Sequence, residues 1–248
     1  MEWKPLADAL FPVEYAIAED DCFLNGIGHC GDTIVAVVGT SRHTPIGIEI
    51  ALKQAQAVLD VVRNHPGRPI LLLVDTVGQR LRHRDEMLGI NSYMAHLGKC
   101  IEFARRSGHT VLAVVYDQAL SGGFITSGLM ADACYALPDA TIRVMSLPAM
   151  ARITKVPEER LTALAESNPV FAPGAINYLR MGGLAGIWEG DLAACLKQAL
   201  ADAKPVDRRS AWGLERGGRR MAQPVIDTVT GRQSEVALAQ ADNDAAAA

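Results

Sequence analysis

The chain has 248 residues, enough for one large domain or two small ones, and enough to bury a core without a metal or disulfide staple. Apolar residues make up 49% and charged residues 21%, which excludes a disordered chain. With 24 Lys and Arg against 28 Asp and Glu, the net charge of −4 argues against a nucleic-acid-coating protein, because neutralising phosphates takes a basic surface.

After an irregular opening segment, residues 33–38 (TIVAVV) read as a strand apolar on both faces. Thr44-Pro45 offers an N-cap followed by proline at the first helical position. Ile48, Leu52, Ala55, Leu59 and Val62 then recur at spacings of four and three, the stripe of an amphipathic helix that stops at His65-Pro66-Gly67. Residues 70–74 (ILLLV) form a continuous apolar run of strand length, the pattern of a strand covered on both sides. A long helix is expected over 84–106, with Met87, Ile90, Met94, Leu97, Ile101 and Ala104 facing inward. Ser107-Gly108 ends it, and residues 110–116 (TVLAVVY) make the third strand.

Residues 122–130 read as a short buried helix, and 134–137 and 141–145 as further short strands. From Leu147 the chain is mostly helical, with breaks at Pro157, 169–173 and Gly182-Gly183. Alternating strands and helices imply an α/β domain with parallel pairing and crossover helices. No interior stretch reads as a linker, so residues 1–232 are expected to form one domain and 233–248, rich in Ala, Asp and Asn, a flexible tail.

Five scattered cysteines and six dispersed histidines show no CxxC pair or zinc spacing, so neither a disulfide framework nor a structural metal is expected. The opening MEWKPLADAL lacks an apolar signal core. The longest apolar stretch, 111–130, is broken by Asp117, Ser121, Gly122 and Gly123. These features predict a cytoplasmic protein with no membrane span.

In open α/β sheets ligands gather beyond the carboxyl ends of the strands. Two of those ends carry glycine turns: Asp75-Thr76-Val77-Gly78-Gln79, and Asp117-Gln118-Ala119-Leu120-Ser121-Gly122-Gly123. Glycine admits close ligand approach, and peptide N–H groups at a helix start carry partial positive charge. Two such turns facing each other would make a two-donor pocket for an oxyanion. The plainer account is that Gly122-Gly123 lets a helix pack tightly on the sheet. Ser121 is outside a GxSxG elbow, being flanked by Ala119 and Gly123, and neither a GxxxxGK[ST] loop nor a GxGxxG after the first strand occurs.

The segments LLLVDTVGQ (71–79), RHRDEMLGINSYMAHLGK (82–99), YDQALSGGFITSGLMAD (116–132) and YALPDATIRVMSLPAMARI (135–153) resemble the acyl-CoA carboxyltransferase branch of the crotonase superfamily. Within it the sequence is most similar to gamma subunits of biotin-independent malonate decarboxylases, over roughly residues 20–220. The resemblance implies a crotonase/ClpP-like fold. It also implies a crotonase-like beta subunit as partner, an acyl-carrier protein with a phosphoribosyl-dephospho-CoA-type arm, and a separate transferase subunit. No biotin and no directly bound cofactor is implied. The reaction is loss of CO₂ from a malonyl thioester. The thioester carbonyl is itself the electron sink, so the catalyst must hold an enolate oxygen, exclude water and deliver a proton to carbon.

By this resemblance the oxyanion donors are backbone N–H groups of Gly78, Gly122 and Gly123, with Val77 a further backbone donor where biotin-dependent relatives carry proline. Gln79 and Ser121 are the implied substrate contacts. Arg219 and Arg220, in the basic stretch RRSAWGLERGGRR (208–220), would guide the acidic carrier or grip its phosphates; a solvated helix face is the plainer account. Three late segments (147–154, 175–181 and 192–201) are expected to present an apolar partner surface. Two other readings stand beside this one. A stand-alone crotonase-type hydratase, isomerase or thioesterase would need a positioned carboxylate such as Glu86 or Asp139. A scaffold subunit would leave the chemistry to its partner.

Overall fold

The computed structural model of the chain describes residues 1–145, 147–167, 174–204, 206–218 and 222–231. Its elements run in the order α1 (Trp3–Leu10), β1 (Tyr15–Asp20), β2 (Phe23–Cys30), β3 (Thr33–Thr40), α2 (Ile48–Asn64), β4 (Ile70–Thr76), α3 (His83–Met87), α4 (Ile90–Arg106) and β5 (Val111–Leu120). There follow α5 (Ser121–Phe124), which continues as one π-helical turn over Ile125–Leu129, and the short strands β6 (Ala133–Ala136) and β7 (Thr141–Arg143). The rest is α6 (Leu147–Thr154), α7 (Glu158–Ser167), α8 (Ala175–Arg180), β8 (Gly186–Ile187), α9 (Leu192–Asp202), α10 (Arg209–Glu215) and α11 (Ala222–Thr230).

One sheet of eight strands organises these elements, in the order β1-β2-β3-β4-β5-β6-β8, with β7 pairing the far end of β5. From β3 onward every pairing is parallel. Because a strand alternates its side chains, each central strand feeds two cores. Leu72 and Val74 of β4, with Ala113 and Val115 of β5, pack toward α2 and α4. Leu71, Leu73, Leu112 and Val114 pack on the other face with residues of α1 and α9. Every residue of β4 is buried, as its unbroken apolar run predicts. Full burial of each such leucine or valine is worth roughly 1.5–3 kcal/mol.

The opening segment is not irregular. β1 and β2 form an antiparallel hairpin, and β2 pairs antiparallel with β3. Asp21 and Cys22, both at positive φ (48° and 68°), make its two-residue turn, a conformation that Asn-Gly or Asp-Gly would have advertised and Asp-Cys does not. Helix α2 starts three residues later than Thr44-Pro45 suggests, with Gly47 as N-cap. Ile46 is drawn into a parallel bridge with Gln79, which delays the helix. The buried face of α2 is correspondingly rotated. Ile50, Ala51, Val58 and Val61 face inward, whereas Leu52 of the expected stripe is exposed.

The long helix expected over 84–106 is two helices. Gly89 at φ 74° separates α3 from α4, and Met87, outside the break, is exposed. The remaining expected stripe, Ile90 to Ala104, is buried. β5 runs on to Leu120 rather than ending at Tyr116, because β7 pairs with residues 118–120. Of the three late segments, α9 turns Leu192, Leu196 and Ala199 into the core, so it is not a free apolar surface; α6 buries none of its residues. The breaks expected over 169–173 and the tail over 233–248 lie outside the described residues. Among the described residues no helix is long and apolar enough to cross a membrane.

Candidate active site

β4 and β5 are adjacent and parallel, so the chain leaving each emerges at the same edge of the sheet. There the two glycine turns meet. A Cβ on Gly123 would lie 2.8–2.9 Å from the backbone of Gly78, and a Cβ on Gly78, held at φ 100°, would lie 3.1 Å from Leu120 O and from Ser121 Cβ. Any side chain at 123 would force the two turns apart. Close packing and an open backbone are therefore the same feature here. The N–H groups of Gly122 and Gly123 lie in the first turn of α5, where no intrahelical acceptor exists.

The turn after β4 is tied down from below. Thr76, fully buried at the strand end, donates its hydroxyl to Thr44 O at 2.7 Å and accepts the Gly78 N–H at 3.0 Å. Gly78 O accepts from Ile46 N, and Arg80 N donates to Ile46 O, both at 2.8 Å. Residues 78 and 80 thus point their bonding groups toward residue 46. The N–H of Gln79 between them points the other way, as does that of every middle residue of a parallel bridge. Among the described residues the N–H groups of Val77 and Gln79 meet no acceptor. The Gln79 side chain lies against Gly122: a Cβ there would lie 3.0 Å from Gln79 Oε1, which is buried and unpaired. Ser121, at φ 51°, spends its hydroxyl on Val144 O at 2.6 Å.

Beside this turn a cavity of about 520 Å³ opens at the ends of β3, β4 and β5, lined among others by Trp3, Glu19, Arg42, His43, Asp75 and Asp117. Arg42 pairs there with Glu19, and the Met1 ammonium and the His43 ring with Asp117. Asp75 is buried and accepts the backbone N–H groups of His43 (2.8 Å) and Gln118 (3.2 Å). Burial pushes its carboxyl above the ordinary value, against the pull of those two bonds and of the His43 ring. Burial also acts upward on Asp117, but the Met1 ammonium at 2.9 Å and the His43 ring at 3.3 Å outweigh it and hold that carboxyl below its ordinary value. Ligand atoms of His43, Asp75 and Asp117 lie within 4.8 Å of one another, a spacing that could gather a divalent cation, yet each already has a protein partner. Tyr116, deeply buried and raised above its usual value by burial and then by Asp75 and Asp117, donates to Thr40 O.

The sequence model of the malonate decarboxylase gamma subunit matches residues 41–233. The chain belongs to that family. A malonyl-S-ACP:biotin-protein carboxyltransferase of Malonomonas rubra, MADD, is 32% identical over 203 residues, covering 73% of this chain and 70% of the relative. Among solved structures, a Pseudomonas malonate decarboxylase hetero-tetramer in complex with coenzyme A contains a chain 25% identical, with TM-score 0.78 over 91% of this chain and 97% of that one. A chain of transcarboxylase 12S shares the fold over part of its length, with TM-score 0.67 and 20% identity over 80% of this chain and 40% of that one. The expected crotonase-like α/β architecture is borne out.

In this gamma-subunit chain two arginines of the basic stretch near the end are committed to backbone carbonyls of the protein itself. Arg209 donates to Leu129 O and Ala131 O, and Arg216 donates to the carbonyls of Leu179, Leu184 and Ala185. Both guanidiniums serve as anchors for chain ends rather than as a docking face. Arg219 and Arg220 lie outside the described residues. Glu86 and Asp139 are exposed and far in character from a positioned base. Thr76 and Asp75, which brace the strand ends, carry one signal in the sequence, a polar Asp-Thr pair closing an otherwise apolar strand.

Proposed function

We propose that this chain acts with a second crotonase-like subunit to release CO₂ from a malonyl thioester, as the gamma subunit of a malonate decarboxylase. The bond between the α-carbon and the carboxylate carbon breaks, its electron pair enters the thioester as an enolate, and a proton then reaches carbon to give the acetyl thioester. The observation that carries this reading is the meeting of two glycine turns, with the first-turn N–H groups of α5 on one side and the Gly78–Gln79 turn on the other. One such donor is typically worth about 3–4 kcal/mol, or 10²–10³ in rate. Gln79 and Ser121 would line the acyl group. Val77, Ile125 and Val144, large apolar side chains flanking the turns, are exposed, which suits a site closed by a partner subunit.

The finer assignments extend this proposal. The substrate is carried on an acyl-carrier protein with a phosphoribosyl-dephospho-CoA-type arm, recharged by a transferase subunit, and Arg219 and Arg220 face that carrier. Residues 1–232 form the working domain, and the setting is the cytoplasm. A second reading has its own support: the Malonomonas rubra relative is named for transfer to a biotin protein, so the carboxyl group could pass to biotin instead of leaving as CO₂.

Reconstitution separates these outcomes. Purified chain, alone and co-purified with its crotonase-like partner, is given malonyl-CoA with and without a biotinylated acceptor protein. Release of CO₂ by the pair, with no need of the acceptor, supports the proposal. Turnover by the isolated chain would move it to the stand-alone class, and consumption of malonyl-CoA that requires the acceptor and carboxylates its biotin would favour the biotin reading.

A further inference from the structure

We infer that Thr76 is the positioning residue of the β4 turn, committing the Gly78 N–H to the protein and leaving the Gln79 N–H to face the reacting oxygen; this rests on the glycine-turn reading above. A hydroxyl has one proton to give. At 2.7 Å Thr44 O takes it, so the 3.2 Å contact from Thr76 Oγ1 to Gly78 O is not a second bond. The same oxygen then accepts from Gly78 N at 3.0 Å, and the turn is closed by a relay from residue 78 through Thr76 to the backbone of residue 44.

The bridge to Ile46 fixes the direction in which the turn opens, and packing and burial hold it there. Gly78 O and the Arg80 N–H both engage Ile46, so the peptide between them must present its N–H on the opposite side. Gly123 packs on the Gly78 carbonyl closely enough that no Cβ fits, which holds the turn against α5. Thr76 itself is fully buried, so its hydroxyl has no other purpose in solvent or ligand contact. Without the hydroxyl, the Gly78 N–H and Thr44 O would be left buried and unpaired. The turn would then relieve that cost by rotating its peptides, which carries the Gln79 N–H out of line.

The test uses the assembled complex and malonyl-CoA. Thr76→Val should lower kcat about 10²–10³-fold, the loss of one aligned donor, with KM moved only a few-fold. Thr76→Ser should restore most of the rate, and Thr76→Cys, with a weak donor and acceptor, should fall between them. Amide exchange in the segment bearing Gly78 should speed up in the valine and cysteine variants and not in the serine one. Wild-type kcat in Thr76→Val would overturn the inference. Should that variant fail to assemble, equal kcat in the serine and cysteine variants would overturn it as well. Gly123→Val keeps the two levels apart. If it turns over normally in an assembled complex, the glycine-turn reading itself falls. If it is inactive while the Thr76 variants are unaffected, only the role of Thr76 falls.

Discussion

At the carboxyl ends of β4 and β5 the chain builds two neighbouring polar regions by opposite means. The glycine turns expose peptide N–H groups and place no charged side chain on them. The cavity lined by Glu19, His43, Asp75 and Asp117 is rich in charge, and there each carboxylate is matched to a hydroxyl, a guanidinium, a backbone N–H, an ammonium or a ring nitrogen. Charge is thus a poor guide to reactivity here. A satisfied ionic cluster has little left to offer a ligand, whereas an unsatisfied peptide N–H in a fixed direction can meet charge that develops only in the transition state.

The largest effect should come from the neutral region. Gly123→Val pushes its side chain into the Gly78 backbone, and kcat for CO₂ release in the assembled complex should drop about 10²–10³-fold. His43→Ala, in the charged region, should change kcat by no more than about 3-fold. Steady-state assays of the two variants side by side check the contrast, and a reversed order would mean that the cavity holds the chemistry.

Much of this frame is legible in the sequence, for physical reasons that also explain the gaps. β4 and β5 announce themselves because strands covered on both faces must be continuously apolar. The two glycine turns stand out because they interrupt such runs at their ends. The β1–β2 hairpin escapes notice because one face is wet, Gly26 and Gly28 dilute the pattern, and its turn lacks the usual glycine. Which peptide of the Val77-Gly78-Gln79 turn points outward depends on the bridge to Ile46, a contact between residues 33 apart that no local pattern encodes. Arg209 and Arg216 look like surface charge in sequence, since only the fold shows that three helix and loop ends bring carbonyls to them.

Asp75 is where the two regions touch, and a smaller effect is expected there. Its carboxylate holds the N–H groups of His43 and Gln118, and its neighbour Thr76 holds the glycine turn. In Asp75→Asn one acceptor oxygen becomes an NH₂ facing a buried donor, which should cost about 1–3 kcal/mol in chemical denaturation of the complex. Because β4 still anchors Thr76, kcat should fall far less than in Gly123→Val. A loss of turnover as large as that of Gly123→Val would show that the cavity and the turn act as one unit.

The smallest expected effect is a change in how stability responds to acid, and its sign separates the two carboxylates of the cavity. Asp117 is held below its ordinary value of 3.8, so its contribution is present above that value and is lost as pH falls through its folded-state value. Asp75 is raised above 3.8, chiefly by burial. Its charged form therefore costs stability at neutral pH, and that cost is relieved as pH falls through its folded-state value toward 3.8. In the native chain the relief from Asp75 comes above pH 3.8 and the loss from Asp117 below it. Asp75→Asn removes the relief, so the variant should lose stability more steeply than wild type as the medium is acidified from about pH 6 to pH 4. Asp117→Asn should follow wild type over that range and flatten the curve only below about pH 4. Thermal midpoints of the three proteins, followed from about pH 6 down to about pH 2, measure the difference. Parallel curves would mean that neither carboxylate differs between folded and unfolded chains, and that the cavity's ionic network is looser than its distances imply.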